Sequence, residues 1–254
     1  MSSVPRFFVP LGAVNGETIT LPADAAHHAV GVLRLRSGDA LTVHDGENRA
    51  YDCLLEDGAT TKRAMARVRA RRELDTEPRV RVTVAQALPK TSDKIEQVLQ
   101  HGTEIGAAHF VFFAAFRSVA RLADGEKIDK RLVRWQGIIQ GAAEQSGRGV
   151  MPTVAWLPFA PDVAKTWGEY AARLVLHEKA QTSFRDTVYN SPASEQELIV
   201  VIGPEGGFTD EEITLFETAG AVTTSLGPRV LRTETASLVA LTLLLEAKDH
   251  GKVR

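Results

Sequence analysis

Three short segments of the 254-residue chain combine tight-turn residues with charged side chains: "VLHE" (175–178), "IGPEGG" (202–207) and "LGPRVLRTETA" (226–236). Each follows an apolar run, as a ligand-binding loop at a strand end does. In "VVIGPEGGFTDEE" (200–212), Val200, Val201 and Ile202 read as the end of a buried strand. Gly203, Gly206 and Gly207 bracket a turn stiffened by Pro204. Thr209 precedes Glu212 at the spacing of a capping box, which opens a helix. A phosphate ligand is disfavoured, because neither the G-x-G-x-x-G fingerprint nor the Lys-Ser/Thr ending of a P-loop is present. Asp210, Glu211 and Glu212 crowd the first helical turn, where they suit the helix dipole and repel a pyrophosphate. A neutral or cationic ligand fits better, although a capped turn with no ligand satisfies the same residues.

His177-Glu178 begins like a zinc-protease signature, but H-E-x-x-H fails at Gln181. No G-x-S-x-G elbow exists either, so hydrolase chemistry lacks support. In "LGPRVLRTETA", Gly227-Pro228 makes a turn, and Arg229 and Arg232 flank the apolar pair Val230-Leu231. Thr233 can cap the following helix, with Glu234 in its first turn. That pattern suits a flat heterocycle held by aliphatic contact with anionic RNA nearby. Pairing of the arginines with Glu205 or Glu234 is the plain alternative. "AAEQSGR" (142–148) places Glu144 and Arg148 at helical spacing, which by itself serves a modest surface ion pair. Near the N-terminus, Arg6, His27, His28, Arg34 and Arg36 are candidate RNA contacts, and a buried, hydrogen-bonded state is equally open to His27.

The elements that must position these residues differ along the chain. Up to about residue 73, short strand-like runs ("RFFV", "ETITL", "ALTVHD", "RAYDCLLED", "KRAMARVRARR") alternate with Gly, Asn and Asp turns. One helical stretch, 23–36, interrupts them. The pattern predicts a small β-barrel-like module, followed by a linker at 73–78. From Val80 onward, the runs "VRVTVAQAL", "HFVFFAA", "ARLVLHE", "ELIVVIG" and "GAVTTSLG" alternate with helical runs at 92–105, 127–147, 209–219 and 233–250. Alternation of this kind predicts a mostly parallel sheet with helices on both faces. All three loops then project from one sheet edge. The last helix is apolar almost all round from Ala236 to Leu245, so it needs covering, by the sheet and a partner or by burial inside one subunit.

The bulk properties are those of an ordinary globular protein: 44% hydrophobic, 24% charged, net charge −2. Residues 76–150 carry eleven basic and eight acidic side chains, and residues 151–254 carry nine and fourteen, so one region can meet a polyanion. Cys53 is the only cysteine, which excludes internal disulfides and favours a reducing, cytoplasmic setting. No apolar run reaches the length of a membrane span, and Pro5 and Pro10 interrupt the N-terminal apolar stretch.

"IGPEGGFTDEE", "LGPRVLRTETA", "LPKTSDKIEQVLQHGTEIGA" and "AAEQSGR", with "HHAVGVLRLRSGD" nearer the N-terminus, resemble the family of 16S ribosomal RNA uracil-N3 methyltransferases. That family belongs to the knotted SPOUT class. The resemblance implies an α/β fold: a PUA/OB-like β-barrel domain over 1–73, then a parallel-sheet SPOUT domain over 79–254 with a C-terminal trefoil knot. It implies methyl transfer from S-adenosyl-L-methionine to N3 of one uridine of 16S ribosomal RNA (1498 in the usual numbering), without metal, in the small ribosomal subunit. Cofactor contacts are implied for Leu176, His177, Glu178, Ile202, Gly203, Pro204, Gly206, Gly207, Leu226, Gly227, Val230, Leu231, Thr235 and Ala236. Glu144, Arg148 and Arg232 become candidate catalytic residues: the arginines for the developing uracil anion, the glutamate for its proton. Lys90, Lys94, Arg117 and Arg229 join the RNA contacts. A homodimer through the knot and last helix is implied. His101 departs from the family pattern, standing where a lysine is usual. Another RNA methyltransferase of the class, acting on a ribose 2′-hydroxyl or a guanine, and a non-catalytic RNA-binding factor are the rival readings.

Overall fold

The structure, a computed structural model, describes residues 4–119, 125–190 and 197–248. The chain divides into two units, Met1–Glu77 with Ala143–Met151 and Pro78–Ala142 with Pro152–Arg254. This division differs from the expected domains, 1–73 and 79–254, in grouping Ala143–Met151 with the first unit.

In the first unit, six strands form a mixed sheet. They are β1 (Arg6–Phe8), β2 (Val14–Asn15), β3 (Thr18–Leu21), β4 (Ala40–His44), β5 (Arg49–Leu55) and β6 (Ala64–Glu73), in the order β1-β4-β5-β6-β3-β2. Only β1 and β4 run parallel. Side chains of alternate strand residues, among them Leu41, Val43, Tyr51, Cys53, Ala64 and Ala66, build one core. Burial pushes the Cys53 thiol up to about 12, so it stays protonated. The helix expected over 23–36 is shorter: α1 (Ala23–Ala26) continues as a π-helix, His27–Val32. Ala25, Ala26 and Ala29 are small enough to lie flat on the core. Arg34 ends the run, because its φ of +57° lies in the left-handed region. The expected linker is also no free tether. β6 reaches Glu73, the Leu74 N–H donates to the Asn48 carbonyl at 2.7 Å, and Glu77 accepts from the Gly149 and Val150 N–H groups at 3.0 and 3.2 Å.

The second unit is a six-stranded, all-parallel sheet with the order β12-β10-β11-β7-β8-β9. Its strands are β7 (Arg81–Ala87), β8 (His109–Ala114), β9 (Thr153–Phe159), β10 (Ala172–Leu176), β11 (Glu197–Ile202) and β12 (Val222–Thr224). The helices are α2 (Ser92–Ile105), α3 (Gly125–Ser146), α4 (Ala160–Lys165), α5 (Phe184–Asn190), α6 (Asp210–Thr218) and α7 (Thr233–Lys248). The expected C-terminal helix ran to 250, and its last two residues lie outside the described ones. On one face Ala85, Ala87, Val175, Ile199 and Val201 pack with Val163 of α4 and Ile213 and Phe216 of α6. α7 lies against β7, β11 and α2.

β9 is missing from the sequence reading because Pro158 interrupts its pattern. Proline is tolerated there since β9 is an edge strand and Pro158 sits in a register shift, Phe113 pairing with Leu157 and Ala114 with Phe159. Chain order grows outward from β7 to β9 and resumes across the sheet at β10, so β7 and β11 meet at a topological switch point. Ligands of open α/β sheets bind beside such points. No helix among the described residues is long and apolar enough to cross a membrane.

Candidate active site

β12, β10 and β11 are adjacent and parallel, with Leu176 opposite Thr224 and Val175 opposite Val201, so their three following loops share one edge. The first loop is tied to the third by hydrogen bonds from His177 N–H to the Thr224 carbonyl and from Ser225 N–H to the Thr182 carbonyl, both 2.9 Å. The middle loop is a turn closed by Gly207 N–H on the Pro204 carbonyl, 2.9 Å. Gly207 has φ +68°, and a Cβ there meets no atom within 4 Å. Glycine suits this position because side chains rarely adopt that left-handed conformation. The capping box forms as expected: Glu212 N–H donates to Thr209 Oγ1 at 3.2 Å, and Thr209 N–H donates to Glu212 Oε2 at 3.0 Å.

Around these loops lies a cavity of about 420 Å³. Leu176, His177, Glu178, Ile202, Gly203, Pro204, Gly207, Leu226, Gly227, Val230, Leu231 and Ala236 line it, whereas Gly206 and Thr235 do not. Among the catalytic candidates, Arg232 lines it. The lining also holds residues that the sequence reading had not assigned to a cofactor, including Glu205, Phe208 and Thr233. Thr233 and Glu205 stood inside the quoted motifs, but only as a helix cap and an ion-pair partner. Phe208 is buried against Phe113 and Phe216, a role that needs the tertiary fold to become visible.

Charges on this edge sort into two kinds. Lys94 Nζ lies 2.8 Å from Glu205 Oε1 and 3.6 Å from Glu234 Oε2. Both Glu205 oxygens also accept from the Lys90 N–H at 3.1 Å. Burial pushes the Glu205 carboxyl up, but the Lys94 hydrogen bond and backbone N–H groups outweigh it and hold the carboxyl below its ordinary value. The hydrogen bond from Lys94 to Glu205 raises the lysine in turn. Arg117 donates to the carbonyls of Gly206 and Phe208 at 2.9 and 3.3 Å. Lys94 and Arg117, expected to contact RNA, brace the middle loop and line the cavity, and Lys90 contributes its backbone. Arg229 and Arg232 differ. Both are exposed, and among the described residues neither pairs with Glu205, Glu234 or any other group. Between them Val230 is 81% exposed.

In the first unit, Arg148 departs from expectation. α3 ends at Ser146, and the Arg148 side chain is buried in an ion pair with Glu77, with Nε donating to Glu77 Oε1 at 3.3 Å. Its carbonyl accepts from His44 Nδ1 at 2.8 Å. A buried, paired guanidinium holds the fold together and is poorly placed to stabilise an anion on a substrate. Glu144 Oε1 accepts from the Phe8 N–H at 3.1 Å. Arg6 Nη1 donates to the carbonyls of Glu144 and Gln145 at 3.2 and 3.1 Å, capping the end of α3 with positive charge. His27, His28, Arg34 and Arg36 are all exposed, so the buried alternative for His27 does not hold. The His28 ring meets Phe7 edge-on. His101, the departure from the family pattern, lies 3.2 Å from Glu104 on the exposed side of α2.

Known proteins share this architecture. Residues 76–245 match the model of an RNA methyltransferase domain, and residues 21–64 that of an RNA methyltransferase PUA domain. The chain is 38% identical to ribosomal RNA small subunit methyltransferase E of Mycobacterium bovis, over 92% of this chain and 88% of that protein. It is 32% identical to the protein of the same name from Bacillus subtilis, over 94% and 95%. Among solved structures, a methyltransferase of Legionella pneumophila in complex with the bound cofactor SAM superposes with a TM-score of 0.88 at 32% identity, covering 97% of this chain and 98% of that one. A ribosomal RNA small subunit methyltransferase E from Neisseria gonorrhoeae bound to S-adenosyl methionine gives 0.85 at 28% identity, covering 97% and 98%.

Proposed function

Because this chain belongs to the family of ribosomal RNA small subunit methyltransferase E, we propose that it methylates N3 of a single uridine of 16S ribosomal RNA, using S-adenosylmethionine. The observation that carries the reading is the cavity where the loops after β10, β11 and β12 converge, since twelve of the fourteen residues that the motifs assign to the cofactor line it. The residues fit that cofactor. The cavity volume is within the range of small-molecule sites. Asp210, Glu211 and Glu212 fill the first turn of α6, which suits a ligand without phosphate.

When bound, S-adenosylmethionine supplies a methyl group activated by a cationic sulfonium. The chain contributes position and electrostatics. Arg232, exposed at the cavity and unpaired among the described residues, meets the uracil oxygen that gains charge as N3 loses its proton. Arg229 neutralises a neighbouring phosphate. Val230 and Leu231 give the cofactor's flat heterocycle an apolar wall. Glu144 is proposed as the proton acceptor on its place in the "AAEQSGR" motif, whereas Arg148 is assigned to structure. His27, His28, Arg34 and Arg36 supply exposed RNA contacts from the first unit.

The trefoil crossing of the C-terminal segment and a homodimer through α7 belong to the same reading. α7 supports the dimer by leaving Leu238, Val239 and Leu243 half-buried beside exposed Thr235 and Thr242. A cytoplasmic site of action follows from a ribosomal substrate. Calorimetry with S-adenosylmethionine, its demethylated product and NAD tests the cofactor. Binding of the first two and not the third is expected, and binding of NAD alone contradicts the proposal.

A further inference from the structure

Gln86 lies at the carboxyl end of β7, directly opposite Ile202 of β11 in the sheet register. It is fully buried and belongs to none of the loop motifs. Its alternate neighbours on β7, Val82 and Val84, are apolar and equally buried. An apolar side chain at residue 86 meets the same packing demand without burying an amide. What this position uses is therefore the amide's hydrogen bonds.

Those bonds converge on the cavity. Nε2 donates its two hydrogens to Thr233 Oγ1 and to the Ala87 carbonyl, both at 2.8 Å, and shares one of them with the Gly203 carbonyl at 3.3 Å. Thr233 Oγ1 donates to the same Gly203 carbonyl at 2.6 Å. The Ser237 hydroxyl donates to Gln86 Oε1 and lies 3.1 Å from the Thr233 carbonyl. Ser237 thereby fixes which way the amide faces, since a flipped amide puts two oxygens against each other at Gly203. Gly203 begins the middle loop, and Thr233 follows the third loop at the start of α7. Both line the cavity. One side chain from the neighbouring strand β7 thus links two of the three cavity walls.

We propose that Gln86 is a positioning residue for the cofactor: through the Gly203 carbonyl and Thr233 it sets the separation of the two loops between which the cofactor lies, with Ser237 holding its amide in the working orientation. The inference rests on the methyltransferase reading of this cavity. Its consequence is specific. Loss of the amide loosens the walls around the cofactor and leaves the exposed RNA-contact residues of the first unit unchanged.

The test uses the full chain and three variants, Gln86→Leu, Ser237→Ala and their combination, with S-adenosylmethionine affinity read by calorimetry and folding by thermal denaturation. Gln86→Leu is expected to fold and to raise the Kd about tenfold, equivalent to about 1.4 kcal/mol, with the KM for RNA unchanged. Ser237→Ala raises Kd less. The double variant is no weaker than Gln86→Leu, because the serine acts through the amide. Gln86→Glu adds a signature that loss of packing cannot mimic. Its carboxylate repels the Gly203 carbonyl at neutral pH, whereas the protonated acid can donate to it, so affinity recovers on acidification relative to Gln86→Leu. A folded Gln86→Leu protein that binds within twofold of wild type overturns the proposal, as do additive losses in the double variant. If Gln86→Leu does not fold, unchanged affinity in Ser237→Ala overturns it instead. Failure of the wild-type protein to bind S-adenosylmethionine is a separate result, and it removes the methyltransferase reading.

Discussion

Replacing Lys94 by Met keeps the aliphatic stem and removes the one cation that serves both Glu205 and Glu234. The two carboxylates respond differently. Glu205 keeps 35% of its side chain exposed and retains the Lys90 N–H, so its share is that of a screened surface pair, about 0–1 kcal/mol. Glu234 keeps only 9%, and its Oε2 has no hydrogen-bond partner, so it is left as a buried, uncompensated charge. Breaking a buried pair in this way costs about 3–5 kcal/mol. Its place in the first turn of α7 returns up to about 1 kcal/mol through the helix dipole. The expected loss is therefore about 2–6 kcal/mol, measured by urea denaturation at neutral pH. Lys94→Met/Glu234→Gln should recover most of it, because the stranded charge is gone. The sign with pH follows from Glu205. Its folded pKa is below its ordinary value of 4.5, so its stabilisation is complete above 4.5 and is lost as pH falls through the lowered folded value. Lys94→Met should flatten that acid limb. A Lys94→Met protein within about 0.5 kcal/mol of wild type, with its acid limb intact, refutes the reasoning.

Further expectations concern packing, catalysis and pH. A Cβ on Gly102 of α2 falls 2.7 Å from Phe110 Cε1 of β8, so Gly102→Ala should destabilise the fold by about 1–3 kcal/mol in the same denaturation assay. Arg232→Ala should lower single-turnover methyl transfer by about tenfold or more with cofactor affinity nearly unchanged. Glu144→Ala should act in the same sense, and near-normal rates in both variants mean that the charge-stabilising scheme is wrong. His44 is buried, and burial, the largest effect, drives its pKa below 6.5 although the hydrogen bond to the Arg148 carbonyl opposes this. Its Nε2 has no partner, so protonation there buries an unsatisfied charge. The stabilisation is therefore complete above 6.5 and declines as pH falls below it toward the lowered folded value. Thermal midpoints across that range should drop more steeply for wild type than for His44→Asn.

Local chemistry made much of this structure legible. α2 spans the residues that the sequence pattern assigned to it, because its start signal and apolar spacing lie within fourteen consecutive residues. The capping box at Thr209 and the three converging strand ends were equally readable, since short motifs specify them. What escaped depends on partners far away in sequence. Lys94 looks like a surface cation until Glu205, 111 positions away, folds against it. Arg148 looks like half of a helical ion pair until Gly147, at φ +77°, turns it toward Glu77. The helix expected over 23–36 stops at Val32, and nothing in "VLRLR" announces that Arg34 takes a left-handed conformation. Gln86 carried no motif at all, and only the approach of α7 to β7 gives its amide a purpose.

The central claim is methyl transfer to a uridine of small-subunit RNA. It is tested most directly by mass mapping of 16S ribosomal RNA from a strain lacking the protein, before and after incubation of its small subunits with purified protein and S-adenosylmethionine. One uridine is expected to be unmodified in the deletion strain and to gain a single methyl group at N3 on incubation. Restoration of a methyl on a ribose hydroxyl or a guanine contradicts the assigned chemistry. A methylation map identical with and without the protein contradicts the claim that this chain is the enzyme responsible.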